Sequence, residues 1–310
     1  MLPYFPFQEH FEAGMGARPY TAHDRLIEVD GHYAPEVQLK RALLDRDHAF
    51  YYRAQPDTLL AQWEVVALVL NDLARAQPGQ FQLTKRDDRW EWHNALLGEA
   101  TQFRFEDAAS LPLEPLDWVG RQVQEDLVLL SPGAEARLVG GQLCFPNGWS
   151  LSSKWDQPLL AVHTRIPQSA SPSMQVAPRL MERMLPERPV WRASWNFKLL
   201  NDLEMSDRER PRVKADFALR APALTSETIG AQLWVRIERQ SFAKLPRSRH
   251  TLFVIHTYQS LLDVEASDPE RARLMLATIR ATPRDMLDYK AVTPIEGALV
   301  AYLERRAAGG

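Results

Sequence analysis

Two stretches of the sequence bring together residue types that can do chemistry, and a single thiol stands between them and the N-terminus. The first stretch is residues 233–246, LWVRIERQSFAKLP. As a strand it puts Leu233, Val235 and Ile237 on one face and Trp234, Arg236, Glu238 and Gln240 on the other, because successive side chains alternate. Arg239 extends the apolar row. The polar stripe is either the solvated face of an edge strand, with an Arg–Glu pair worth at most roughly 1 kcal/mol, or one wall of a polar pocket. In a pocket, a carboxylate would hold an ammonium ion and an arginine would hold an anion such as a propionate, or bound dioxygen. The second stretch is residues 152–167, SSKWDQPLLAVHTRIP. His163 ends an apolar run there. It is either a hydrogen-bonded strand-end imidazole or a ligand to a metal or haem iron. Cys144 lies between apolar neighbours, where a buried free thiol is ordinary.

Other chemistries are excluded by what is missing. One cysteine permits no disulfide within the chain and no cysteine cluster for zinc or iron–sulfur. GxxxxGK[ST], GxGxxG, HExxH and GxSxG are all absent, so nucleotide-dependent chemistry encoded in this chain is not expected. A formal charge of −3 offers no basic excess for a phosphate backbone. The N-terminus has no basic segment followed by an apolar core, and the apolar run at 65–70 is far too short to span a bilayer. A cytoplasmic protein is expected. The 310 residues, 45% hydrophobic and 25% charged, suit one large core with decorations or two small ones.

The elements that must position these residues follow from periodicity and turn chemistry. The first thirty-five residues read as an irregular arm lying on a surface. Helices are expected over 36–47 and again after Pro56-Asp57, where Leu59, Trp63, Val66, Leu70 and Leu73 recur at helical spacing up to Pro78-Gly79. Short β segments follow at 81–85, 89–93 and 102–105, then a helix at 115–126. A β block covers 127–130, 136–145 and 159–163, with a turn at Ser131-Pro132-Gly133. A helix at 174–185, a strand at 191–199 and an exposed polar loop at 201–212 come next. Strands at 231–240 and 251–258 precede helices at 268–281, capped by Ser267 or Asp268 with Pro269 at its first position, and at 295–306. Helices at both ends of an antiparallel β centre make an α+β fold.

Several segments together resemble the α-subunit of the haem-dependent oxidative N-demethylase, or dimethylamine monooxygenase, family. They are Pro3-Tyr4-Phe5-Pro6-Phe7, Met15-Gly16-Ala17-Arg18-Pro19, Glu28-Val29-Asp30 with Tyr33, Cys144-Phe145-Pro146-Asn147-Gly148-Trp149 with Lys154, and Ala161-Val162-His163-Thr164-Arg165-Ile166-Pro167. Further on stand Arg192-Ala193-Ser194-Trp195-Asn196, Arg236-Ile237-Glu238-Arg239-Gln240-Ser241-Phe242, Leu245-Pro246-Arg247-Ser248 and Phe253-Val254-Ile255-His256-Thr257-Tyr258. The Arg-x-Glu-Arg-Gln…Leu-Pro-Arg-Ser run is the most specific. One departure is local: Trp155-Asp156 follows Lys154 where a glycine is expected, which bears on the turn there.

The resemblance implies a PAS-like antiparallel sheet binding haem b within residues 111–310, with an N-terminal arm and helical section, 1–110, packed on it. It implies oxidative removal of a methyl group from a secondary amine such as dimethylamine, using O2, with formaldehyde and a primary amine as products. Electrons from NADPH would arrive through partner subunits carrying FMN and a [2Fe–2S] cluster, and a partner binding tetrahydrofolate would receive the one-carbon unit. A haem-based gas or redox sensor without turnover is the alternative. By the same resemblance His163 is the first choice for the axial ligand and His256 the second. Glu238 and Gln240 fall in the substrate pocket, Arg236 and Arg239 near propionates or oxygen, and Tyr258 and Trp195 beside the distal cavity.

Overall fold

The computed structural model of the chain describes residues 1–11, 16–158, 167 and 181–309. The strands among them are β1 (Arg18–Pro19), β2 (Tyr52–Ala54), β3 (Phe81–Arg86), β4 (Arg89–Asn94), β5 (Glu99–Arg104), β6 (Asp126–Leu130), β7 (Leu138–Gln142), β8 (Val190–Lys198), β9 (Trp234–Lys244) and β10 (Thr251–Leu261). Seven form one sheet in the order β1-β8-β9-β10-β6-β7-β2, and β3-β4-β5 form a second. All the pairings are antiparallel. The longer helices are α1 (Tyr33–Arg46), α2 (Leu59–Ala76), α3 (Arg210–Arg220), α4 (Pro269–Ala281) and α5 (Glu296–Ala307). The fold is α+β, as the sequence pattern leads one to expect.

Local chemistry explains the firmest elements. In α2, Trp63, Val66, Leu70 and Leu73 are all buried on one stripe. In α4, Pro269 takes the first turn, where its missing N–H costs nothing, and the Asp268 carboxylate accepts from Glu270 N at 2.9 Å. β9 and β10 pair over eleven rungs, from Trp234↔Leu261 to Lys244↔Thr251.

Both helical layers cover the same face of the large sheet. Leu127, Leu129, Leu252 and Val254 pack with α1, α2 and the small sheet. Val235, Ile237, Trp195 and Phe197 pack with α4 and α5. The other face carries Val128, Leu130, Phe242, Phe253 and Ile255, a smaller apolar group. Section 1–110 supplies both edges of the sheet, through β1 on β8 and β2 on β7.

Four expectations change. The arm does not lie on a surface: Phe7, Leu26 and Ile27 are buried, and Asp72 accepts the backbone N–H of both Leu26 and Ile27. The helix at 115–126 spans only Pro115–Gly120. The carbonyls of Gly120, Val123 and Glu125 turn instead to the fully buried Lys40 ammonium, which a continuing helix would not release to it. The strand at 136–145 spans Leu138–Gln142, because Cys144 and Phe145 give their N–H groups to the Asp126 carboxylate, at 2.7 and 2.8 Å. The polar loop at 201–212 is anchored rather than exposed: Met205 and Ser206 are buried, and α3 begins at Arg210. The segments expected at 159–163 and most of 174–185 lie outside the described residues, and so does His163.

Candidate functional site

The face of the large sheet opposite α1, α2, α4 and α5 borders a cavity of about 1430 Å³. This exceeds the roughly 300–1,000 Å³ usual for a small-molecule site. Val128, Leu130, Phe242, Phe253 and Ile255 make an apolar wall, and Glu238 and Gln240 stand beside them. β8 adds Arg192, Ser194, Asn196 and Lys198, and α3 and the turn holding Lys290 close the far side. Register explains the grouping: Arg192 pairs with Gln240 and Ser194 with Glu238, and alternate residues share a face.

The polar row of β9 is therefore not a solvated edge. β9 lies between β8 and β10, and Glu238 is only 8% exposed. Its Oε2 accepts from Gln240 Nε2 at 3.0 Å, and Gln240 Oε1 accepts from Arg192 Nε at 2.7 Å. Glu238 Oε1 is buried with no hydrogen-bond partner among the described residues, 3.8 Å from Arg236 Nε. Buried carboxylate oxygens are costly to leave unmatched, so this atom is where a ligand N–H fits.

Among the described lining residues, the seven lysines and arginines outnumber the four carboxylates, Asp207, Asp216, Glu238 and Asp288. Burial pulls the Lys198 ammonium down to about 8, helped by the Arg236 charge and opposed by Glu238. Burial also pulls Lys290 down to about 8. Lys290 Nζ donates to Trp195 O at 2.7 Å and stands 4.1 Å from the Trp195 ring centre. Arg192 is lowered by burial too, with Glu238 opposing. The cavity is thus cation-rich and partly apolar, which suits an anionic ligand with a large hydrophobic body.

The structure separates the other residues singled out from the sequence. Arg236 points to this face, but its guanidinium is fully buried and donates to Phe145 O at 2.7 Å and to Asp202 O and Leu203 O at 3.2 Å. It fastens two loops rather than offering itself to an anion. Arg239 lies on the helix-covered face, donating to Arg25 O at 2.7 Å, with Tyr4, Tyr20 and Trp191 rings about it. His256 and Tyr258 share that face, stacked at 4.2 Å. His256 Nδ1 is bonded to Glu125 at 2.9 Å, and Tyr258 donates to Glu28, which also accepts from Tyr4. Burial opposes the His256 charge, yet Glu125, Glu28 and Asp30 together raise its pKa. His256 is thus turned away from the cavity. Trp195 packs between Phe7 and Phe197 at the edge of β8, reaching the cavity rim.

Lys198 and Lys290 were missed by sequence reasoning. Period-two alternation along β8 was available to find Lys198 on the face of Arg192. No local pattern marks Lys290, which arrives from a turn some ninety residues later. Among the described residues no helix is long and apolar enough to cross a membrane.

The sequence matches the model of the family described as haem-dependent oxidative N-demethylase, alpha subunit-like, over residues 18–300. That match takes in most of the chain, which therefore belongs to this family.

Proposed function

We propose that this family member binds haem b in the sheet-face cavity and catalyses oxidative N-demethylation of a small secondary amine such as dimethylamine. Electrons from NADPH would come through partner subunits carrying FMN and [2Fe–2S], with a tetrahydrofolate-binding partner taking the one-carbon product. Glu238 Oε1 is the observation on which this rests: a buried carboxylate oxygen with no hydrogen-bond partner among the described residues and only the Arg236 guanidinium 3.8 Å away, on the wall of a cavity large enough for a cofactor and a substrate together.

The wall residues fit the group that the family requires. The apolar strip of Val128, Leu130, Phe242, Phe253 and Ile255 suits a macrocycle, and the excess of cations suits its carboxylates, which Arg192 and Lys290 would meet. His163 is the proposed axial ligand. An antiparallel sheet with a cavity against one face supports a PAS-like reading. When bound, haem supplies the dioxygen and electron-transfer chemistry.

The chain's own residues do the rest. A secondary amine enters as an ammonium ion, and Glu238 Oε1 accepts one of its N–H bonds. The same oxygen can take the proton, freeing the nitrogen lone pair that oxidation needs. Gln240 holds Oε2 and is itself held by Arg192, so the carboxylate keeps one orientation. The apolar strip keeps water from the methyl group.

Expression with a haem precursor tests this directly. The purified chain is expected to show a Soret band that His163→Ala abolishes or shifts, and, with an electron source, to release formaldehyde from dimethylamine. A colourless chain overturns the proposal. A coloured chain that never yields formaldehyde in the presence of its reductase partners favours the sensor.

A further inference from the structure

The chain holds seven lysines against thirty arginines. Four of the seven, Lys154, Lys198, Lys214 and Lys290, line the sheet-face cavity. They differ in what they do there. Lys290 is fixed by Trp195 O and the Trp195 ring. Lys214 is exposed on α3. Lys154 has a partner of its own. The Lys198 amine makes no hydrogen bond and no ion pair among the described residues, although it ends the strand that carries Arg192 and shares its face.

Its surroundings make it a base of unusual weakness. It is half-buried at the wall, and the charges of Arg236 and Arg210 press on it while only Glu238 favours its proton. With a pKa of about 8 it is half neutral at pH 8, where an ordinary lysine near 10.4 is neutral in roughly one molecule in 250. A desolvated amine among cations is the usual setting of a lysine that attacks carbonyl carbon.

We propose that Lys198 is a nucleophile that captures the aldehyde product, formaldehyde, within the cavity. This rests on the N-demethylation reading for the origin of the aldehyde. The amine lone pair bonds to the carbonyl carbon, and the carbonyl oxygen takes a proton to give a carbinolamine. Protonation of its hydroxyl and loss of one water give the iminium. Hydrolysis consumes one water and returns amine and formaldehyde, so no oxidant or reductant is involved. Capture of this kind holds a diffusible, toxic product at the site until an acceptor takes it.

The test needs neither haem nor partners. The full chain is treated with limiting formaldehyde and cyanoborohydride, which reduces the iminium to N-methyl-lysine, and peptides are mapped by mass spectrometry across pH 6–10. Lys198 is expected to be methylated at least ten-fold faster than Lys214 at pH 7.5. Its rate should level off above pH 8, while that of Lys214 keeps climbing. Lys290→Met removes a neighbouring cation, so it should move the levelling-off upward. Methylation of Lys198 no faster than Lys214, or a Lys198 rate that climbs in parallel with it, overturns the proposal. A chain that labels at Lys198 yet shows no Soret band keeps the nucleophile and loses the demethylase reading, so the two fail separately.

Discussion

Arg236→Met separates two roles that a buried arginine in this cavity wall could have. If the guanidinium waited for a propionate, its loss would weaken haem binding and leave the haem-free chain as stable as before. The contacts point the other way. The side chain is fully buried and joins Phe145 O at 2.7 Å to Asp202 O and Leu203 O at 3.2 Å. Each hydrogen bond to a charged donor contributes about 1.5–3 kcal/mol. The desolvation cost of the ion disappears along with it, so the sum overstates the loss. What remains is two orphaned carbonyls, Phe145 O and Leu203 O, since Asp202 O keeps Gln259 Nε2 at 3.1 Å, and the imbalance left at Glu238; removing one member of such a cluster costs about 3–5 kcal/mol. Urea unfolding of the haem-free chain should show a loss of that size for Arg236→Met. Arg236→Lys should show most of it, since an ammonium lacks the planar fork that reaches both loops. A loss under about 1 kcal/mol together with a large drop in haem affinity would refute the reasoning.

Other perturbations read out the remaining parts of the site. Glu238→Gln should weaken dimethylamine binding roughly 10- to 100-fold, the worth of one charged hydrogen bond, as seen by calorimetric or spectral titration; an unchanged dissociation constant would remove Glu238 from the amine site. His256 has its folded pKa raised, so its contribution to stability is full below its ordinary value near 6.5 and is lost as pH rises through the raised one. The stability gap between wild type and His256→Asn should therefore be larger at pH 6 than at pH 9, and a gap that does not change with pH counts against it. At Gly141 an added Cβ would stand 3.1 Å from Leu127 O and 3.1 Å from Leu151 Cδ2. Gly141→Ala should cost about 1–3 kcal/mol in thermal or urea unfolding, and a neutral outcome would mean that β6 and β7 can part without strain.

The sequence by itself determined the α+β class, the strong elements β9, β10, α2 and α4, and the family. Those are matters of alternation, helical spacing, capping and motif, all of which act between near neighbours. It also set out the choice at 233–246 without making it. Alternation puts Arg236, Glu238 and Gln240 on one face, but whether that face meets water depends on what lies to either side. Only the pairing of β9 between β8 and β10 turned the stripe into a buried wall. The same pairing divided residues that had looked equivalent: Glu238 and Gln240 face the cavity, while Arg239, His256 and Tyr258 face the arm and helices. Side-chain charge gave no warning of which arginines were already engaged, because the shortest hydrogen bonds of Arg236 and Arg239 go to backbone carbonyls of distant segments. Lys198 and Lys290 became notable only through burial beside other cations, and burial is a property of packing that no stretch of sequence carries alone.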